Sequence, residues 1–183
     1  MRLRKRATAF APALLWIALG AAPAPSAPPA FAVVSDCANP KLAALPVRTV
    51  VAPKAILHLS VAADERTREL GLMCVTGIRP RAGMIFVFDE DASWEFWMKL
   101  TLIPLDMIWV HADGRVDTVA ANVPASTRAT SDEKVARRKG TGKYVIELAA
   151  GEAARDGIVR GACLAAPDLK WNGCASGTSS PHP

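Results

Sequence analysis

The sequence predicts a mainly β chain (α+β overall), folded as one compact β-sandwich or barrel-like domain with one or two short helices. Three observations predict it. Short apolar or alternating runs recur with turn residues between them, the pattern of small all-β domains. Only one segment carries a clear helix start. After an N-terminal leader about 150 residues remain, enough for one well-buried core.

The leader comes first. Four positive charges at Arg2, Arg4, Lys5 and Arg6 precede an apolar stretch over 7–22 and a Pro/Ala-rich run over 23–32. That order is expected of a cleavable signal peptide, here 1–32, with Ala30-Phe31-Ala32 as the cleavage site before Val33. An apolar stretch interrupted by Pro12 falls short of the roughly 20 residues a spanning helix needs, so no stable membrane span is expected after cleavage. The expected location is periplasmic or extracellular. The formal charge of +5 includes the four leader charges and leaves +1 on the remainder, which gives no case for nucleic-acid binding. Cys37, Cys74, Cys163 and Cys174 all follow the leader, an even number in an oxidising compartment with three possible connectivities. Cys163 and Cys174 are close enough in sequence to tie back the C-terminal end, although reduced, buried cysteines fit the spacing too.

Residues 33–54 read as a lead-in with a first strand toward its end. In 55–61 the odd-numbered residues are apolar, which suits a half-buried strand. Asp64 reads as an N-cap and 65–73 as a short helix. Gly77, Pro80 and Gly83 punctuate a turn region. Residues 84–88 form a wholly apolar strand ended by Asp89-Glu90-Asp91. Strands are expected over 94–99, 105–110, 116–121 and 143–149, with a helical turn at 151–156. The segment 126–143 carries six basic residues against two acidic ones and reads as a solvated loop. Residues 165–183 read as a flexible tail.

Four stretches then occur in a telling order: Arg68-Glu69-Leu70-Gly71-Leu72-Met73, Gly83-Met84-Ile85-Phe86-Val87-Phe88, Phe96-Trp97-Met98-Lys99-Leu100-Thr101-Leu102-Ile103-Pro104-Leu105-Asp106, and Tyr144-Val145-Ile146-Glu147-Leu148-Ala149-Ala150-Gly151. Together they resemble the domain-of-unknown-function 192 family of bacterial and archaeal proteins, over 55–164. The resemblance implies a small, mainly β fold, often exported, and no established activity. The chain departs from that family at Leu100, where an asparagine usually follows the lysine. It departs again at Val75, where an arginine is common. Both departures touch the family site if those residues belong to one.

Residues 94–99 and 105–110 are read as a hairpin. Lys99 then faces Asp106, Trp97 faces Ile108, and Trp94, Phe96, Met98, Leu105, Met107 and Trp109 share the core face. A one-residue slip would bury Lys99, which fixes that register. Two readings of the other face stand. In one, Lys99 and Asp106 form a cross-strand ion pair, a contribution of roughly 0.2–1 kcal/mol, under a covering Trp97. In the other, Trp97 is a stacking platform, with Lys99, Asp106, Arg68 and Glu95 as polar candidates for a ligand.

Other chemistries are weaker. In that register Glu95 and Asp106 are on the order of 13 Å apart, too far for paired-carboxylate hydrolysis. No nucleophile motif is present, so no catalytic residue is assigned. The four methionines after the leader, Met73, Met84, Met98 and Met107, sit in apolar patterns suited to core filling, and no spacing suggests a metal or cofactor. The expectation is an exported domain that binds a small molecule or an anionic envelope component. An enzyme with a non-obvious site and a structural accessory protein are the alternatives.

Overall fold

The computed structural model describes residues 30–34, 42–172 and 174; most of the leader, Cys37 and the last nine residues lie outside the described residues. The elements run β1 (Phe31–Val33), β2 (Val47–Ala52), β3 (Ala55–Ala62), α1 (Glu65–Leu70), β4 (Val75–Ile78), β5 (Ala82–Trp97), β6 (Leu105–Val110), β7 (Val116–Val123), β8 (Arg137–Ala149), α2 (Glu152–Arg155), β9 (Ala165–Ala166) and β10 (Trp171–Asn172). The main sheet is ordered β10-β9-β2-β3-β5-β8-β6-β7, while β1 and β4 pair separately. It is antiparallel except for β3 beside β5, and it curls into a half-barrel. The expected cleavage point after Ala32 falls inside β1. Among the described residues no helix is long and apolar enough to cross a membrane.

Local signals act as the sequence implies. The alternation in β3 buries Leu57 and Leu59, and the Pro53-Lys54 turn pairs that strand with β2. The Asp64 carboxylate accepts from the Thr67 backbone N–H at 2.9 Å, and the Thr67 hydroxyl oxygen accepts from the Asp64 N–H. This reciprocal cap starts α1, which ends at Leu70, earlier than expected.

Long-range pairing departs from the expectation. The acidic triplet does not end a strand: β5 continues to Trp97 through an irregularity between Val87 and Ala92. At that bend the Asp91 carboxylate accepts from the Ala112 N–H at 3.1 Å and lies 3.0 Å from His111 Nδ1. The expected hairpin between 94–99 and 105–110 does not form. Residues 94–97 pair with 137–140 of β8, and β6 pairs with β7 and the far half of β8. The basic segment is therefore strand from Arg137 onward, not loop. Its charges point to solvent from the outer half of a two-stranded ribbon, while its backbone bonds β5.

The ribbon folds back over β6 because two glycines let it. A β-carbon on Gly142 would stand 2.6 Å from the Val110 carbonyl oxygen, and one on Gly140 would stand 2.6 Å from the Trp109 ring. The contact lets Trp109 Nε1 donate to the Trp94 carbonyl at 3.0 Å. The sheet thus has a core on each face. Ile146 and Leu148 look into one, with Leu57, Leu59 and Trp171; Val145 looks into the other, with Met84, Phe86, Met107 and Trp109. The sequence-expected core residues Met98, Leu105, Met107 and Trp109 all lie in that second core, with Trp94 and Phe96 against it.

Within the expected tail, residues 165–172 form β9, a short 3-10 turn and β10. Trp171 is 1% exposed and packs edge-on to Tyr144, so an apolar anchor holds the segment down. A Cys163–Cys174 disulfide ties it further, and Cys74 is also disulfide-bonded.

Candidate functional site

Beyond the capping box the chain leaves α1 through Gly71, whose φ of 45° is a left-handed conformation. Gly71 rests against Phe86, so residues 68–73 form a wall facing β5. The opposite wall is Phe96 and Trp97 from the end of β5, then Lys99 and Thr101 from the turn that follows. Several backbone bonds fix that turn. Met98 N–H donates to Ala136, Thr101 N–H to Met98 and Cys74 N–H to the Leu100 carbonyl, all at 2.9–3.1 Å.

Between these walls is a narrow pocket of about 40 Å³, lined at its inner end by Glu147. Space of this size takes a few atoms, such as one terminal functional group of a ligand. Glu147 lies on β8, directly across from Met84 on one side and Met107 on the other. It is 4% exposed, and its carboxyl group has no hydrogen bond or ion pair among the described residues. Burial pushes that carboxyl up to about 8, so it is mostly protonated at neutral pH.

A groove of about 220 Å³ shares Arg68, Glu69, Phe96 and Trp97 with the pocket and is also walled by Phe88, Trp94 and Glu95. Phe88 and Trp94 are stacked at 3.9 Å, and Trp94 Nε1 donates to the Gly142 carbonyl, which fixes the aromatic wall. A larger open hollow of about 450 Å³ beside β7 has a mostly apolar lining, with Arg160 its one charged residue. The Glu147 pocket therefore carries the more specific chemistry.

The structure brings four of the five sequence candidates together there. Arg68 stands at the mouth, its Nη1 donating to the Ala63 carbonyl at 2.5 Å and the Val87 carbonyl at 3.0 Å. Trp97 is 39% exposed at the rim. Lys99 Nζ lies 5.2 Å from its ring centre and the Arg137 guanidinium 4.9 Å. Glu95 bonds Arg137 at 3.2 Å.

Asp106 is the exception. It is fully buried away from the groove, and Lys99 pairs at 2.6 Å with Asp132 instead. The two Asp106 carboxylate oxygens accept from the N–H groups of Asn122 and Ala153, each at 2.9 Å. It thus anchors an irregularity in β7 and the first turn of α2, because Leu105–Val110 is an inner strand whose side chains are buried on both faces.

The two departures from the family pattern fall at well-defined places in the structure. Leu100 has φ 51°, a conformation that asparagine tolerates better than leucine, so the usual asparagine suits the backbone at this turn. Val75 is fully buried in the second core. Glu147 was not among the residues singled out from the sequence. Its signal was there: it is a lone acid inside the apolar run 144–149.

The DUF192 family, described as "Uncharacterized ACR", matches residues 48–166. A crystal structure described as a candidate transcription regulator from Sinorhizobium meliloti is 32% identical, with TM-score 0.59, over 67% of this chain and 95% of that one. A protein of unknown function from Novosphingobium aromaticivorans is 29% identical, with TM-score 0.58, over 70% of this chain and 91% of that one. No curated protein matches.

Proposed function

The chain belongs to the domain-of-unknown-function 192 family, which supplies a fold without an assigned chemistry, and we propose that it is an exported domain binding a small molecule in the groove that ends at Glu147. One observation carries the reading: a buried carboxyl without a protein partner lines the inner end of a pocket that opens to solvent. With no protein partner, that carboxyl is available to a ligand group that enters the pocket and displaces water from it. The aromatic groove outside supplies apolar area for the rest of that ligand, the usual composition of a small-molecule site. Support for export comes from the charge and hydropathy order of 1–32, and from disulfides at Cys163–Cys174 and at Cys74, which suit an oxidising compartment.

Mass spectrometry of protein purified from its native envelope tests the reading. A small molecule should accompany the wild type and be lost from Glu147→Gln. If both come through empty, and a small-molecule extract of the envelope leaves the wild-type tryptophan fluorescence unchanged, the binding reading fails. A protein that stays in the cytoplasmic fraction refutes export.

A further inference from the structure

The chemistry of the pocket narrows the ligand class, on the premise that the groove is a binding site. Its inner end has one ionisable group, Glu147, and its walls are Leu70, Leu72, Met73 and the rings of Phe86 and Phe96. Those two rings meet edge to face at 4.8 Å. The one hydroxyl in the lining, on Thr101, donates to the Lys99 carbonyl. The two cations at the mouth are engaged elsewhere, Lys99 by Asp132 and Arg68 by two backbone carbonyls and the Phe88 ring. Glu69 is the remaining charged group of the lining.

The interior therefore has a carboxyl group and π-electron density, while the two cations at its mouth already hold protein acceptors. Aromatic faces and a carboxylate are complementary to an organic cation. The pocket's size limits what enters to a single terminal group, and the outer groove suits an apolar or aromatic body. We infer that the site binds a primary amine, its ammonium group inserted against Glu147 and its apolar body lying along Phe88, Trp94 and Trp97.

Entry of the ammonium requires Glu147 to ionise, so binding releases a proton at neutral pH. The burial that holds the carboxyl near 8 makes the affinity pH-dependent. Between pH 6 and pH 7.5 the affinity should rise by about tenfold per pH unit, the slope of one proton released.

Three probes of one shape and different charge decide the matter: phenethylamine, 2-phenylethanol and phenylacetate, titrated into the whole domain by calorimetry and tryptophan fluorescence. The expected result is that phenethylamine binds at least tenfold tighter than either other probe. Its binding should tighten with pH and its heat should depend on the buffer's ionisation enthalpy. Glu147→Gln and Glu147→Met, the second matching the neighbouring methionines, should both abolish the preference and the pH slope.

If 2-phenylethanol binds as well and weakens as pH rises, the carboxyl acts as a neutral donor and the amine inference is overturned, while a binding groove stands. Preference for phenylacetate overturns it as well and shifts recognition to Lys99 and Arg68. If no probe binds, the amine inference falls, and recovery of a native ligand decides separately whether the groove is a binding site.

Discussion

Glu147 stands directly across the sheet from Met84, a carboxyl in a layer of thioethers and aromatic rings. That pairing makes the fold sensitive to alkali. The unfolded carboxyl titrates near 4.5 and the folded one at about 8, so the folded state holds its proton more tightly. The associated stability is complete below about pH 4.5 and is lost as pH rises to 8, at a limiting slope of about 1.4 kcal/mol per unit. Urea titrations at a series of pH values should show a loss on the order of 4 kcal/mol in the wild type. Glu147→Met should remove most of it. A smaller loss in the same direction should remain from Asp156, raised by burial and then by neighbouring Glu152. Identical pH profiles for wild type and Glu147→Met would sink the account.

Asp106 and Lys99 should be energetically independent. A double-mutant cycle between them should give a coupling near zero, whereas Lys99 with Asp132 should give roughly 0.2–1 kcal/mol, as for a partly exposed ion pair. Asp106→Ala alone should destabilise by about 1–3 kcal/mol, because it strands the buried N–H group of Ala153 and breaks the part-buried bond to Asn122. Asp106→Ala protein that still folds should bind ligand normally. Thermal unfolding and the cycle together check both statements.

Leu100→Asn should stabilise the domain by about 1 kcal/mol. The gain comes from removing a leucine from φ 51°, offset in part by lost contact of a half-buried side chain. Leu100→Gly should behave similarly at reduced gain, because glycine adds entropy to the unfolded chain. A destabilising Leu100→Asn would show that leucine packing outweighs backbone strain.

How legible was all this in the sequence? Signals acting over a few residues were readable: the alternation along β3, the Asp64 cap and the apolar register of Met98, Leu105, Met107 and Trp109. Partners distant in the chain were not. Strand β5 pairs with a segment forty or more residues away, and the charges on that segment look the same on a solvated loop as on an exposed ribbon. The error in pairing moved Asp106 into the expected site, since opposite charges across a supposed hairpin look like partners. Glu147 was overlooked for the converse reason. Its strand reads as core, and only the third dimension brings residues 68–73 and Lys99 around it. The glycines of the ribbon were equally silent, because a need for close approach leaves no local pattern.

Those glycines give the last prediction. A β-carbon on Gly142 would lie 2.6–2.9 Å from backbone atoms of Val110, which cannot move without breaking the β6–β8 ladder. Gly140→Ala would press on the Trp109 ring and strain its bond to the Trp94 carbonyl. Each substitution should cost about 2–3 kcal/mol or more, in the range of overpacking a core. Gly77→Ala is the control: its β-carbon would meet only Ala32, at an ordinary 3.6 Å, and should change stability by less than about 1 kcal/mol. Because Trp94 and Trp97 ride on the same ribbon, Gly140→Ala and Gly142→Ala should also shift tryptophan emission to the red and weaken ligand binding, while Gly77→Ala should do neither. A Gly142→Ala protein as stable as the control, with unshifted emission, would mean that the ribbon does not lie against β6 in solution.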